Sequence, residues 1–160
     1  CRLKWILENK MNILKAPCGI LSTRSTDVTN FETMPAVYLE MVKTAKENKL
    51  VGLAGNQIGY TARFFIVDMG GGIFEMFINP KLKMNQRAGK EFGWEGCGSI
   101  FNKMCLVERF KSLKVTARDE NGKEFTLELS GKVARTVQHE NDHLNGVMIT
   151  DKARETRKIQ

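Results

Sequence analysis

The stretch QHENDHLNG, residues 138–146, organises the reading of this chain. His139 and His143 are four residues apart, a spacing that puts both on one face of a helix. Glu140 lies beside them and completes an H-E-x-x-H pattern. Ser130 and Gly131 precede the segment, and Gly146 is a natural stop, so a helix is predicted from about Lys132 to Asn145. Such a helix can offer two imidazole nitrogens to one metal and a carboxylate to the water beside it. These are the only two histidines in the chain, which makes a purely structural role the weaker explanation.

Outward from that helix the pattern changes period. Leu106 to Asp119 is strand-like, with the alternation Leu113, Val115, Ala117. Asn121-Gly122 is a strong hairpin signal, and Phe125, Leu127 and Leu129 supply the returning alternation. Further upstream, Phe64–Met69 and Phe74–Pro80 are predicted strands, with Gly70, Gly71 and Gly72 turning between them. The glycine-rich GLAGNQIG, Gly52 to Gly59, comes before these. Residues 31–48 are a predicted helix, because Phe31, Met34, Tyr38, Met41 and Ala45 recur at three- and four-residue intervals. Pro35 fits only near its start. Residues 17–30 form a looped or extended entry. Strands grouped together and followed by a helix define an α+β class. The expected architecture is antiparallel β-sheets packed around a central helix that carries the H-E-x-x-H motif. Val147 to Gln160 are largely charged and leave little room for a further packed element.

The 160 residues suit one domain, and the apolar fraction of 42% and charged fraction of 27% are ordinary for a globular protein. No apolar run is long enough for a membrane span. Leu3, Trp5, Ile6 and Leu7 form a cluster too short and interrupted for a signal peptide. Residues 1–10 are therefore taken as a leader, added or disordered, and residues 11–160 as a single catalytic domain. A cytoplasmic location is expected, with an organelle or the host cytoplasm of a virus as variants of it. The four cysteines are too sparse for a disulfide framework in a chain this large. The net charge of +7 favours acidic partners such as RNA or ribosome surfaces. No RNA-binding motif accompanies the charge, so a basic enzyme is preferred to a specific nucleic-acid binder.

A catalytic site of this kind needs a third protein ligand and one open position. There is no third histidine, and Glu155 is the only glutamate in the tail. The third ligand is therefore expected upstream, where a thiolate is available. In EGCGS, Glu95 to Ser99, Cys97 sits between two glycines that allow a metal or substrate to approach the backbone closely. GLAGNQIG, EGCGS and QHENDHLNG, in this order, resemble the three signature blocks of the peptide deformylases. ILKAPCGILSTRS, Ile13 to Ser25, is similar to that family's N-terminal pattern.

The resemblance implies that Cys97, His139 and His143 bind one divalent metal, usually Fe(II), with Zn, Ni or Co as substitutes. It implies hydrolysis of the N-formyl group of formyl-methionyl nascent chains, releasing formate. Glu140 would act as acid and base. The side-chain amide of Gln57 and the backbone N–H of Gly98 would hold the oxyanion, and Val51, Gly52 and Gly96 would position substrate. Glu95 and Arg109 look like the pair that braces the second block, and Asp142 matches the third. The chain departs from the family at Gly55, usually alanine, and at Gly98, often leucine. It departs again at Arg135 and Thr136, where apolar residues are common. The long C-terminal helix by which many relatives dock on the ribosome has no counterpart here, so docking by that route is unsupported. Two alternatives stand beside this expectation. One is a short zinc peptidase; the other is a non-enzymatic zinc module closed by Cys97, Cys105, His139 and His143.

Overall fold

In the computed structural model, residues 11–159 are described. The expected leader at residues 1–10 lies outside them. The fold is built outward from β2 (Phe64–Asp68), a continuous apolar run buried on both faces. Because side chains alternate along a strand, Phe64 and Ile66 enter one core while Phe65 and Val67 enter another. β2 lies inside a five-stranded antiparallel sheet of order β1-β2-β3-β6-β7. The other strands are β1 (Gly52–Ala54), β3 (Phe74–Met84), β6 (Ser112–Arg118) and β7 (Glu124–Ser130). Helix α1 (Met34–Glu47) covers one face, packing Val37, Met41 and Ala45 with Leu53, Met76 and Ile78. Helix α2 (Gly131–Leu144) covers the other, packing Ala134, Val137 and Leu144 with Ala54, Phe77 and Val115. Each large side chain so buried contributes roughly 1.5–3 kcal/mol.

A smaller antiparallel sheet, of order β4-β5-β8, lies beyond α2. It is made of β4 (Lys90–Glu95), β5 (Lys103–Phe110) and β8 (Glu155–Lys158). The helix is tied to it by Gln138, whose side-chain amide both donates to Phe110 O at 2.9 Å and accepts from Phe110 N–H at 3.0 Å. The H-E-x-x-H helix is therefore central, as expected, with a sheet on either side.

Several boundaries differ from the sequence expectation. Leu106–Asp119 is not one strand: the chain leaves β5 at Phe110 and enters β6 in the other sheet at Ser112. The strand begun at Phe74 continues to Met84, past a register shift between Ile78 and Lys81. Helix α1 begins at Met34, with Pro35 in its first turn and Phe31 outside it. The charged tail is expected to leave little room for a further packed element. Instead, the single turn α3 (Ile149–Lys152) buries Ile149 against Cys105 and Val107, and β8 pairs with β5. The expected turns are present. Gly70, Gly71 and Gly72 all take positive φ, and β6 and β7 pair across Asn121-Gly122. Among the described residues no helix is long and apolar enough to cross a membrane.

Candidate metal centre and cleft

Cys97 is carried on the loop that follows β4, and His139 and His143 lie one turn apart on α2. Their ligand atoms all fall within 4.8 Å of one another. His143 Nε2 is 3.2 Å from His139 Nε2 and 3.3 Å from Cys97 Sγ. Two imidazole nitrogens that face each other at this distance need a shared proton or a cation between them. Burial lowers the affinity of both rings for a proton. At His139 the neighbouring Cys97 and Glu95 outweigh it and lift the pKa to about 10. At His143 burial and the nearby His139 act together and push the pKa well down. A divalent ion held by the two nitrogens and the sulfur would satisfy all three facing atoms at once. The N₂S donor set suits zinc or iron(II), so the residues present fit such an ion.

The outer face of His139 is held by a buried ionic cluster. Its Nδ1 lies 3.0 Å from Glu95 Oε2. Glu95 also accepts two hydrogen bonds of 2.9 Å from Arg109 and one of 2.8 Å from Arg135. Burial alone would raise the Glu95 pKa, but the hydrogen bonds from His139 and Arg109 hold it well below the usual carboxylate range. Arg109 reaches on to Asp142, which also accepts from Lys152. The expected Glu95–Arg109 brace is thus buried rather than a surface pair, and Asp142 belongs to it. A carboxylate behind a ligating histidine fixes its ring and tautomer.

Glu140 lies on the inner side. It is buried, and its Oε2 has no hydrogen-bond partner among the described residues. Burial pushes its carboxyl up to about 7, with His139 opposing the rise and Glu95 adding to it. A carboxyl with such a pKa can both take and give a proton near neutrality. Gln57, also buried, has a fixed amide. Its Oε1 accepts from Ala54 N–H at 2.9 Å, and its Nε2 donates to Ser99 Oγ at 3.1 Å and lies 3.7 Å from Cys97 Sγ.

These groups open on a cleft of about 880 Å³. Val51, Gly52, Gln57, Gly96, Cys97, Gly98, His139 and Glu140 all line it, while His143 sits behind, almost fully buried. The cleft runs between β1 and β4, an edge strand of each sheet, with α2 as its floor. Cys105 is elsewhere. It packs with Val107 and Ile149, and its Sγ is 3.8 Å from Thr156 Oγ1. The four-ligand module that required Cys105 is thereby corrected: that thiol is not part of the cluster.

The glycine departures have packing reasons. A β-carbon at Gly55 would lie 2.9 Å from the Phe64 ring, and one at Gly98 would lie 3.1 Å from Leu50 Cδ1. Larger neighbours occupy the space that side chains at 55 and 98 would take. Sequence reasoning did not single out Ser99 or Gln138, which hold Gln57 and the helix by hydrogen bonds. Neither type nor spacing distinguishes them from ordinary surface polar residues.

Two antiparallel sheets around an H-E-x-x-H helix, with the Cys97 sulfur beside its two histidines, fit the class of metal-dependent hydrolases. Comparison with known proteins narrows the class. The family model for polypeptide deformylase matches residues 10–158. Peptide deformylase 1 of Clostridium perfringens is 42% identical over 144 residues, covering 89% of this chain and 92% of that protein. The peptide deformylase of Thermoanaerobacter pseudethanolicus is 40% identical, over 84% and 83%. The solved structure of peptide deformylase from Thermotoga maritima superposes with a TM-score of 0.87 at 33% identity, covering 92% of this chain and all of that one. A probable peptide deformylase from Synechococcus phage S-SSM7 gives 0.82 at 30% identity, over 89% and 99%. The chain belongs to the polypeptide deformylase family, metal-dependent hydrolases that remove the N-formyl group from nascent polypeptides. The short zinc peptidase is accordingly set aside.

Proposed function

We propose that Cys97, His139 and His143 hold one divalent ion, Fe(II) in the native enzyme with Zn, Ni or Co as substitutes, and that Glu140 is the acid and base of the deformylation. The observation that carries this is the convergence of three ligand atoms within 4.8 Å beside a buried carboxylate with a free oxygen. When bound, the ion supplies Lewis-acid chemistry, which lowers the pKa of water towards neutrality. Glu140 takes a proton from the attacking water as its oxygen bonds to the formyl carbon. The same carboxyl returns that proton to the amine nitrogen as the C–N bond breaks, leaving formate and a free N-terminus. Gln57 donates from Nε2, whose contact with Cys97 is long enough to be exchanged for one with the developing oxyanion. The backbone N–H of Gly98 is the second donor.

Val51 and Gly52 lie at the start of edge strand β1, and a peptide added beside them pairs through its backbone, with Gly96 facing it from the other wall. Residues 11–160 act as one catalytic domain on this reading, in the cytoplasm, on formyl-methionyl chains. The net charge of +7 supports a passing encounter with the ribosome surface. The test is formate release from an N-formyl-methionyl peptide by anaerobically loaded protein. Wild type should release formate. Glu140→Gln should retain the ion yet lose about 10²–10⁴ in turnover. Full turnover by the variant would remove Glu140 from the chemistry.

A further inference from the structure

Arg135 stands one helical turn before His139, and residues four apart share a helix face. It lines the cleft, with a side chain 17% exposed. The guanidinium lies against β4 at Gly93. A β-carbon at position 93 would be 2.7 Å from Arg135 Cζ and 2.9 Å from Nη2, so the missing side chain is what admits it. Three acceptors fix it there. Nη1 donates to Glu95 Oε1 at 2.8 Å and to Val107 O at 3.0 Å, and Nη2 donates to Glu91 O at 2.9 Å. A guanidinium carries five N–H donors. The Nε–H and one N–H on Nη2 have no acceptor among the described residues.

We propose that Arg135 determines specificity: it walls the pocket for the first side chain of the substrate, and its unused donors admit a side chain ending in a hydrogen-bond acceptor, with N-formyl-methionine sulfoxide peptides as the test case. The proposal rests on the site assignment made above. The reacting carbon must lie among the three ligands, Glu140 and Gln57. The first side chain branches from the carbon next to the formylated nitrogen, so it enters the cleft close to His139 and Glu140. Arg135 and Thr136 line the cleft one helical turn before His139 and Glu140, and Arg135 lies against Gly93 of β4. The Thr136 hydroxyl is already committed to Lys132 O at 2.9 Å. Arg135 is therefore the charged donor nearest His139 on α2, with Lys132, which also lines the cleft, a further turn away. A sulfoxide oxygen entering an apolar pocket loses its water without replacement. A charged donor restores the bond and favours the oxidised side chain by about tenfold or more.

The experiment uses the full, metal-loaded chain and three N-formyl tripeptides that differ only in the first residue: methionine, methionine sulfoxide and norleucine. Norleucine matches methionine in length and carries no acceptor. Wild type should process all three, and Arg135→Leu should lower the sulfoxide-to-norleucine ratio of kcat/KM about tenfold, chiefly through KM. Gly93→Ala keeps the arginine but displaces its guanidinium, and should lower the same ratio. It decides alone if Arg135→Leu does not fold. A fall of all three substrates together, with the ratio unchanged, would mean that Arg135 acts only by supporting Glu95, and would overturn the proposal. So would a wild type that processes methionine and norleucine but refuses the sulfoxide. A metal-bearing wild type inactive on all three would sink the site assignment and the proposal with it.

Discussion

Gly52 and Glu140 are so close that only a residue without a side chain fits between them. A β-carbon at 52 would lie 2.4 Å from Glu140 Oε1 and 2.8 Å from Thr136 Cγ2. Glu140 cannot give way freely, because it is buried on the floor of the cleft. Gly52→Ala should therefore displace the carboxylate while leaving Cys97, His139 and His143 untouched. Turnover should fall about a hundredfold or more, the usual worth of a positioned acid-base group. Metal content, measured by elemental analysis, should stay at the wild-type level. Wild-type turnover would show that the carboxylate does not need its present position.

Glu95 ties the ionic cluster to the metal centre through His139. Removing it as Glu95→Ala leaves Arg109 buried with only Asp142 opposite, and leaves His139 Nδ1 without its acceptor. Breaking a buried pair in this way costs about 3–5 kcal/mol, which urea denaturation would read. Losing the carboxylate behind a ligating histidine should also weaken metal affinity by about 10–100-fold, measured by competition with a chelator. A stability loss without any loss of affinity would mean that the cluster braces the fold alone.

The parts of this site that were legible in the sequence are those where chemistry and spacing coincide. His139, Glu140 and His143 announce a helix and a ligand pair in one pattern, and Asn121-Gly122 announces its hairpin. Elements held by backbone pairing left no such trace. β8 is exposed along its whole length, so its pairing with β5 needs no apolar alternation. β4, read as KEFGWE, carries charges and a glycine and resembles a loop. The passage from β5 to β6 contains neither glycine nor proline, so Phe110-Lys111-Ser112 reads as uninterrupted strand although the chain changes sheets there. The family resemblance names the Glu95–Arg109 pair but not its burial, because nothing local to Arg109 in the sequence marks the position as enclosed.

Cys97 and Cys105 separate two roles for a thiol. Cys97 faces the histidines, and Cys105 is fully buried in the small core of the second sheet. Cys97→Ser replaces a soft thiolate by a hydroxyl and should sharply weaken binding of the ion. Cys105→Ala should hold the ion as well as wild type does and lose only packing. Equal affinity in the Cys97 variant, or lost affinity in the Cys105 variant, would reverse the ligand assignment.

Gly146 closes α2 three residues after His143, with φ at +72°. That conformation costs a non-glycine residue about 1–3 kcal/mol. Space adds to the cost. A β-carbon there would lie 2.7 Å from Ser22 C and O and 3.0 Å from Thr23 N. These are backbone atoms of the entry segment, which cannot rotate aside as a side-chain tip can. The same segment is held to the helix end by Ser25 N–H donating to Leu144 O at 2.9 Å. Gly146→Ala must therefore push the entry segment off α2 or unwind the turn that carries His143. Thermal unfolding should show a loss of at least about 2 kcal/mol, and bound metal should partly restore it, because ligation favours the state in which His143 is in place. Unchanged stability would mean that the helix end and the entry segment can separate without disturbing the ligands.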